Sequence, residues 1–203
     1  MGLEHIRKRL TRYMDPEAAR PSDEISQIFK IPGPPQHVAK TVYTNLQRLS
    51  KLVPPRVGSA AWRVIFNGWC TKRRFQDRTS SHNVCYLGCG GNAEDSIEHY
   101  CRCDVVAQVF KQKFCIDLAP KRGLSFFCMA TPEQRQEHIF ALSMLGVYAV
   151  YMSTNYYRSI GHCNPSEGKN CVGQHIIQGC QGHKRLTKLV QVRWIVPFVN
   201  IKE

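Results

Sequence analysis

The sequence predicts a mainly α protein: a small helical domain, an inserted cysteine- and histidine-rich knuckle, and irregular basic extensions at both ends. Three observations predict it. Apolar residues recur at three- and four-residue intervals in several stretches, the longest being Ile139–Met152. Residues 77–103 interrupt them with a polar, glycine- and cysteine-rich stretch that has too little apolar surface to order itself. The charge is lopsided as well. Residues 1–76 carry 14 basic and 5 acidic side chains, 77–158 carry 8 of each, and 159–203 carry 6 and 2.

In chain order, residues 3–13 place Leu3, Ile6, Leu10 and Tyr13 on one helical face, with Arg7, Lys8, Arg9 and Arg12 elsewhere. Pro16, Pro21, Pro32, Pro34 and Pro35 make 15–37 an irregular arm. Val38, Val42, Leu46, Leu49 and Leu52 then repeat at helical spacing until Pro54-Pro55 stops them. Residues 1–55 are thus a basic, Pro-rich extension with one or two helices, and 56–158 are the helical domain. Ser59 is placed to cap a helix over 60–75, whose stripe of Trp62, Ile65, Phe66 and Trp69 should pack on the core. Asp104 is expected to cap a helix over 104–114, with Val106, Val109, Phe110 and Phe114 on its apolar face.

Thr131, Pro132 and Gln134 have the order of cap, first helical position and capping-box partner. The helix they open should run to about Arg158 and form the core, because it is apolar on most of its circumference after Ile139. Residues 159–203 read as a basic Cys/His-rich tail. In it, 161–183 has a loop's composition and Leu189–Val196 alternates like a strand, which Pro197 ends or confines to an edge.

At 43% hydrophobic and 10% aromatic the chain can bury a core, which argues against wholesale disorder. Ile139–Met152 falls short of the roughly 20 residues a membrane span needs, so no transmembrane segment is expected. The first residues are charged and lack the apolar core of a secretory signal. An intracellular protein, of the nucleus or an organelle, is the expectation. In that setting ten cysteines point to metal binding rather than disulfides. The formal charge of +13, concentrated towards the two ends, points to RNA or DNA as partner.

Cys85, Cys89, His99 and Cys103 form a C-x3-C-x9-H-x3-C pattern. A tight turn, with Gly88 free to take a left-handed backbone, brings two thiolates together. A second turn brings an imidazole and a third thiolate. Four nitrogen and sulfur ligands close a tetrahedron with no open position for water, so the expected cofactor is a structural zinc. Cys101 is an alternative fourth ligand at a poorer spacing. His162, Cys163, Cys171, His175, Cys180 and His183 supply the ligand types for a second site but in no established pattern. Cys70, Cys115 and Cys128 read as buried small hydrophobes.

No enzyme signature is present. The chain lacks a Walker loop, G-x-G-x-x-G, G-x-S-x-G, H-E-x-x-H and the H-x-E…P-C-x-x-C of zinc deaminases. Its carboxylates are few and scattered, so no two-metal centre is indicated and no small-molecule substrate is expected. Lys72, Arg73, Arg74 and Arg78 lie just before the knuckle and are the candidate phosphate contacts. Tyr86 and Tyr100 are candidates for stacking on bases.

Residues 61–107 resemble the zinc-binding region that follows the polymerase domain in non-LTR (LINE-type) retrotransposon reverse transcriptases. The likeness rests on an ordered set. Trp62-Arg63 and Trp69 come first, then Arg73-Arg74-Phe75 and the C-x3-C pair. Asp95-Ser96-Ile97-Glu98-His99-Tyr100 follows, then Cys103 and Val105-Val106-Ala107. Tyr151, Asn155 and Arg158 look like the family's downstream helix, and dinoflagellate-type versions are the most alike. The resemblance implies that Cys85, Cys89, His99 and Cys103 are metal ligands, and that the region binds template RNA or target DNA. The chain departs from the family in having one residue fewer between His99 and Cys103 and no paired-Asp palm motif. A reading of another class is a captured element tail serving as an accessory subunit of a larger, organellar, multi-subunit assembly.

Overall fold

The structure is a computed structural model that describes residues 44–48, 50–65, 68–71, 85–90, 94–116, 137–161 and 163–195. Among these the chain is helical, without a strand. A short helical stretch at 44–48 and a one-turn 3₁₀ helix, Ser50–Leu52, precede α1 (Pro55–Ile65), α2 (Ile97–Tyr100), α3 (Asp104–Phe114), α4 (Glu137–Ile160), α5 (Pro165–Cys180) and α6 (Lys184–Ile195). The mainly α reading is therefore the architecture observed. No helix among the described residues is long and apolar enough to cross a membrane.

Helix α4 is the centre. Phe140, Leu142, Met144, Leu145, Val147 and Val150 are buried along it, and α1, α3, α5 and α6 all pack on it. Burying a side chain of that size contributes about 1.5–3 kcal/mol, so α4 supplies the largest apolar surface in the fold. Helix α5 runs back along it in antiparallel register. Cys163 at its start lies by Tyr157, His175 meets Ser153, and Gly179 sits against Leu145 and Tyr148. The connection that reverses the chain is short. Gly161 there has φ +104°, and Asn164 opens α5 with a capping box to Glu167, both bonds 2.9 Å.

Trp69 is fully buried against Tyr100 and the α4 residue Tyr151, at centroid distances of 6.1 and 5.3 Å, and Trp62 packs partly buried on the core. The expected packing of this stripe on the long helix therefore holds for Trp69, while Trp62 packs on the core. The helix itself begins earlier than expected and does not reach 75: residues 68–71, with Trp69, are not helical. Pro55 is its first residue, where a missing N–H leaves no bond unmade, and the carbonyl of Pro54 accepts from Val57 and Gly58 at 2.9 and 3.1 Å. The Pro-Pro pair starts α1 rather than merely ending its predecessor, and Ser59 lies inside it.

The tail needs the larger correction. Residues 165–195 form two helices rather than a loop and a strand. The glycines of α5 are packing residues: a Cβ at Gly168 would collide with the backbone carbonyl of Leu87, and one at Gly179 with Leu145. In α6 the residues that face the core, Leu186 and Val190, are spaced for a helix. Helix α3 has the expected bounds, but Cys103 is its N-cap residue and Asp104 its first helical residue. Cys70 and Cys115 are exposed rather than buried. Cys115 ends α3 in a left-handed conformation, φ 53°, and its neighbours Phe114 and Ile116 take the inward positions. The expectations for the first 43 residues, for Phe66, for Thr131–Gln134, for Cys128 and for His162 fall outside the described residues, as does the side chain of Ile65.

Candidate metal centre

Two turns build the site. In the first, the Gly88 N–H donates to the Cys85 carbonyl (3.1 Å) and the Leu87 N–H donates to Cys85 Sγ (3.4 Å), so the backbone curls around the thiol. Gly88 has φ +72°, and a Cβ there would lie 2.6 Å from the carbonyl carbon of Asn164. Only glycine satisfies both the backbone and the close approach. In the second turn Ser96 caps α2, its Oγ accepting from the His99 N–H at 3.1 Å. The Arg102 N–H then donates to the His99 carbonyl (2.8 Å), and the chain turns into α3 at Cys103.

The result is one compact group. The ligand atoms of Cys85, Cys89, His99 and Cys103 all lie within 4.8 Å of one another. Cys85 Sγ is 3.7 Å from Cys103 Sγ, and Cys89 Sγ is 3.5 Å from His99 Nε2. Cys85 and Cys103 are buried, and Cys89 and His99 are half-buried. A hydrogen bond with Cys103 pulls the Cys85 thiol down to about 4 against the effect of burial, with His99 assisting. The same bond, together with burial, pushes Cys103 up. Two buried sulfurs thus share a proton beside a third sulfur and an imidazole. This group can hold a metal ion, which would take the proton's place among the thiolates.

Cys101, the alternative ligand, is outside the group. Its thiol is fully buried, and burial raises its pKa far above the ordinary value. Among the described residues no second group of ligands converges in this way. Cys163 Sγ donates to the Tyr86 carbonyl at 3.1 Å. His175 Nδ1 lies 3.0 Å from Ser153 Oγ, and His183 Nδ1 accepts from the Leu186 N–H at 3.2 Å to cap α6. Cys180 is buried, which pushes its thiol up to about 11. Each of these side chains has a local structural role.

A buried ion pair ties the knuckle to α4. Asp95 is fully buried and accepts from Tyr100 Oη (2.6 Å) and, on both oxygens, from Arg158 (2.7 and 3.0 Å). The guanidinium of Arg158 also lies over the Tyr86 ring, 5.5 Å from its centroid. One α4 side chain therefore holds both turns of the site. Burial works against the Arg158 charge, but the bonds to Asp95 outweigh it and raise its pKa. Sequence reasoning misses this pairing. Its signal is that Arg158 is the first Asp, Glu, Lys or Arg after Glu137 along an otherwise uncharged helix.

Base stacking is corrected: Tyr100 and Tyr86 are buried and engaged with Asp95 and Arg158. Lys72, Arg73, Arg74 and Arg78 lie outside the described residues. No family model, curated protein or solved structure matches the chain. The likeness to reverse transcriptase tails rests on the residues quoted for it.

Proposed function

We propose that Cys85, Cys89, His99 and Cys103 hold one zinc ion, and that the chain is a non-enzymatic, zinc-stabilised helical module that binds RNA or DNA. The spacing of the ligand atoms supports zinc. With Zn–S near 2.3 Å and Zn–N near 2.0–2.1 Å, tetrahedral edges come to about 3.8 Å between sulfurs and about 3.6 Å between sulfur and nitrogen. The two close pairs measure 3.7 and 3.5 Å. Three thiolates and an imidazole complete the shell, so the metal's role is structural rather than catalytic.

The nucleic-acid reading follows from charge. Zinc with three thiolates carries about −1, so the knuckle itself does not attract phosphate. The attraction comes from the basic excess of the chain, with Lys72, Arg73, Arg74 and Arg78 as phosphate contacts. Helix α6 adds exposed Lys184, Arg185 and Lys188, and its sequence holds no acidic residue. In origin we read the knuckle as related to the tail of a non-LTR reverse transcriptase.

The test is affinity for a generic single-stranded RNA and a duplex DNA across a salt series, for the wild type and for a variant with those four basic residues changed to Gln. The salt slope should fall by about 0.7–0.9 for each phosphate no longer neutralised, with zinc content unchanged. Absence of wild-type binding at low salt would overturn this reading in favour of an accessory subunit in a protein assembly.

A further inference from the structure

An open groove of about 400 Å³ lies between helices α1 and α4. Arg56, Ser59 and Arg63 line it from α1, and Tyr148, Tyr151 and Asn155 line it from α4. The α1 residues recur every three or four positions and so share one helical face. Arg56 and Arg63 are two turns apart, about 10 Å of helical rise. Among the described residues no carboxylate lines the groove.

Both guanidinium groups are positioned by neutral acceptors. Arg56 Nη2 donates to the carbonyls of Gln178 (2.9 Å) and Gln181 (2.8 Å) at the end of α5. Arg63 Nη1 donates to Tyr151 Oη, and its guanidinium lies over the Tyr151 ring, 5.4 Å from the centroid. Two cations are therefore held in place without being neutralised by a described carboxylate. Ordinary surface lysines lose rotamer freedom on binding an anion, whereas these side chains have already lost much of theirs. A guanidinium has five N–H donors, so each retains donors beyond the bonds just described. The floor between them is mixed: Ala60, Tyr148 and Met152 offer apolar surface, and Ser59 and Asn155 offer hydrogen-bonding groups.

We propose that this groove, whose two guanidinium groups meet no described carboxylate, is a nucleotide subsite for single-stranded nucleic acid. Arg56 and Arg63 take phosphates on either side of one nucleotide, and its sugar and base lie on the floor between. The inference rests on the nucleic-acid reading above and adds a contact on the folded helices to those expected from Lys72–Arg78. A single strand fits better than a duplex, because a concave site this small admits a splayed nucleotide and not a paired, stacked one.

The test uses the zinc-loaded full chain and fluorescence anisotropy with a labelled oligouridylate, a duplex of matching length and an acidic peptide. The variants are Arg63→Gln and Ser59→Glu, both at exposed positions of α1, with the Lys72/Arg73/Arg74/Arg78→Gln variant alongside. Thermal melts confirm that each remains folded. Removing a charge-assisted bond to phosphate should weaken oligouridylate binding about tenfold at low salt for Arg63→Gln. Its salt slope should fall by about 0.7. Ser59→Glu, which puts a carboxylate in the groove, should weaken it at least as much, and duplex binding should change less in both. Wild-type affinity in both groove variants, with weakened binding in the Lys72–Arg78 variant, would overturn the subsite while leaving the nucleic-acid reading intact. No binding of either nucleic acid by the wild type would overturn that reading itself. Tighter binding of the acidic peptide than of oligouridylate would overturn the ligand class.

Discussion

Helix α4 and the described residues of the knuckle, 85–90 and 94–103, are both largely buried, yet their burial is supported differently. Along α4 the interior is mostly apolar and uncharged: Leu142, Met144, Leu145, Val147 and Val150 have little or no exposure, and the polar side chains buried with them, Ser143, Ser153 and Thr154, are small hydroxyls. The knuckle buries Leu87 and Ile97, but beside them it buries thiols, two phenols and the carboxylate of Asp95. Apolar burial tolerates the loss of one partner at the cost of a cavity. A buried charge left unpaired is costlier for its size, because its desolvation is no longer offset. The core helix should therefore respond to truncation locally, and the knuckle should respond as a unit.

The largest expected effect is at the link between them. Arg158→Met leaves Asp95 buried without its cation and should cost about 3–5 kcal/mol, measured by denaturant unfolding of the zinc-loaded protein. Combining it with Asp95→Asn should recover part of the loss. If the double variant were as unstable as the sum of the singles, the pair would not be the clamp described. Leu145→Ala should cost about 2–5 kcal/mol without altering metal affinity, which separates core from knuckle.

Gly168→Ala comes next. A helical glycine replaced by alanine would ordinarily gain about 1 kcal/mol. Here the new Cβ meets the Leu87 carbonyl, which cannot swing aside as a side chain would. Net destabilisation of about 1–3 kcal/mol is expected, with weaker metal binding because the first turn is displaced. A stabilising outcome would show that α5 and the knuckle are less tightly joined than described.

How much of this the sequence revealed divides along the same line. The convergence of Cys85, Cys89, His99 and Cys103 was legible because four residues at fixed spacing carry the chemistry themselves. The bounds of α3 and the centrality of α4 were legible from apolar period. Helix α5 was not, because Gly168 and Gly179 have the composition of a loop and act as contact points only once Leu87 and Leu145 are opposite them. Nor was the Asp95–Arg158 pair, whose members are 63 residues apart. The groove between α1 and α4 depends on how two helices meet, which no single helix encodes.

The smallest effect concerns pH. Burial lowers the pKa of His175, although a backbone bond to Cys171 works the other way. A depressed histidine stabilises the fold above its unfolded value of about 6.5, and that stability is lost as pH falls through the folded value. His175→Gln should therefore flatten the decline in stability below about pH 6.5 relative to wild type. Parallel curves would remove His175 from the account.

A metal, rather than apolar burial alone, is expected to order the knuckle. Metal analysis of the purified full chain, with and without Cys85→Ser, tests it most directly. About one equivalent of zinc is expected in the wild type, and little zinc with a disordered knuckle in the variant. Less than about half an equivalent in the wild type, together with wild-type-like folding of Cys85→Ser, would contradict it.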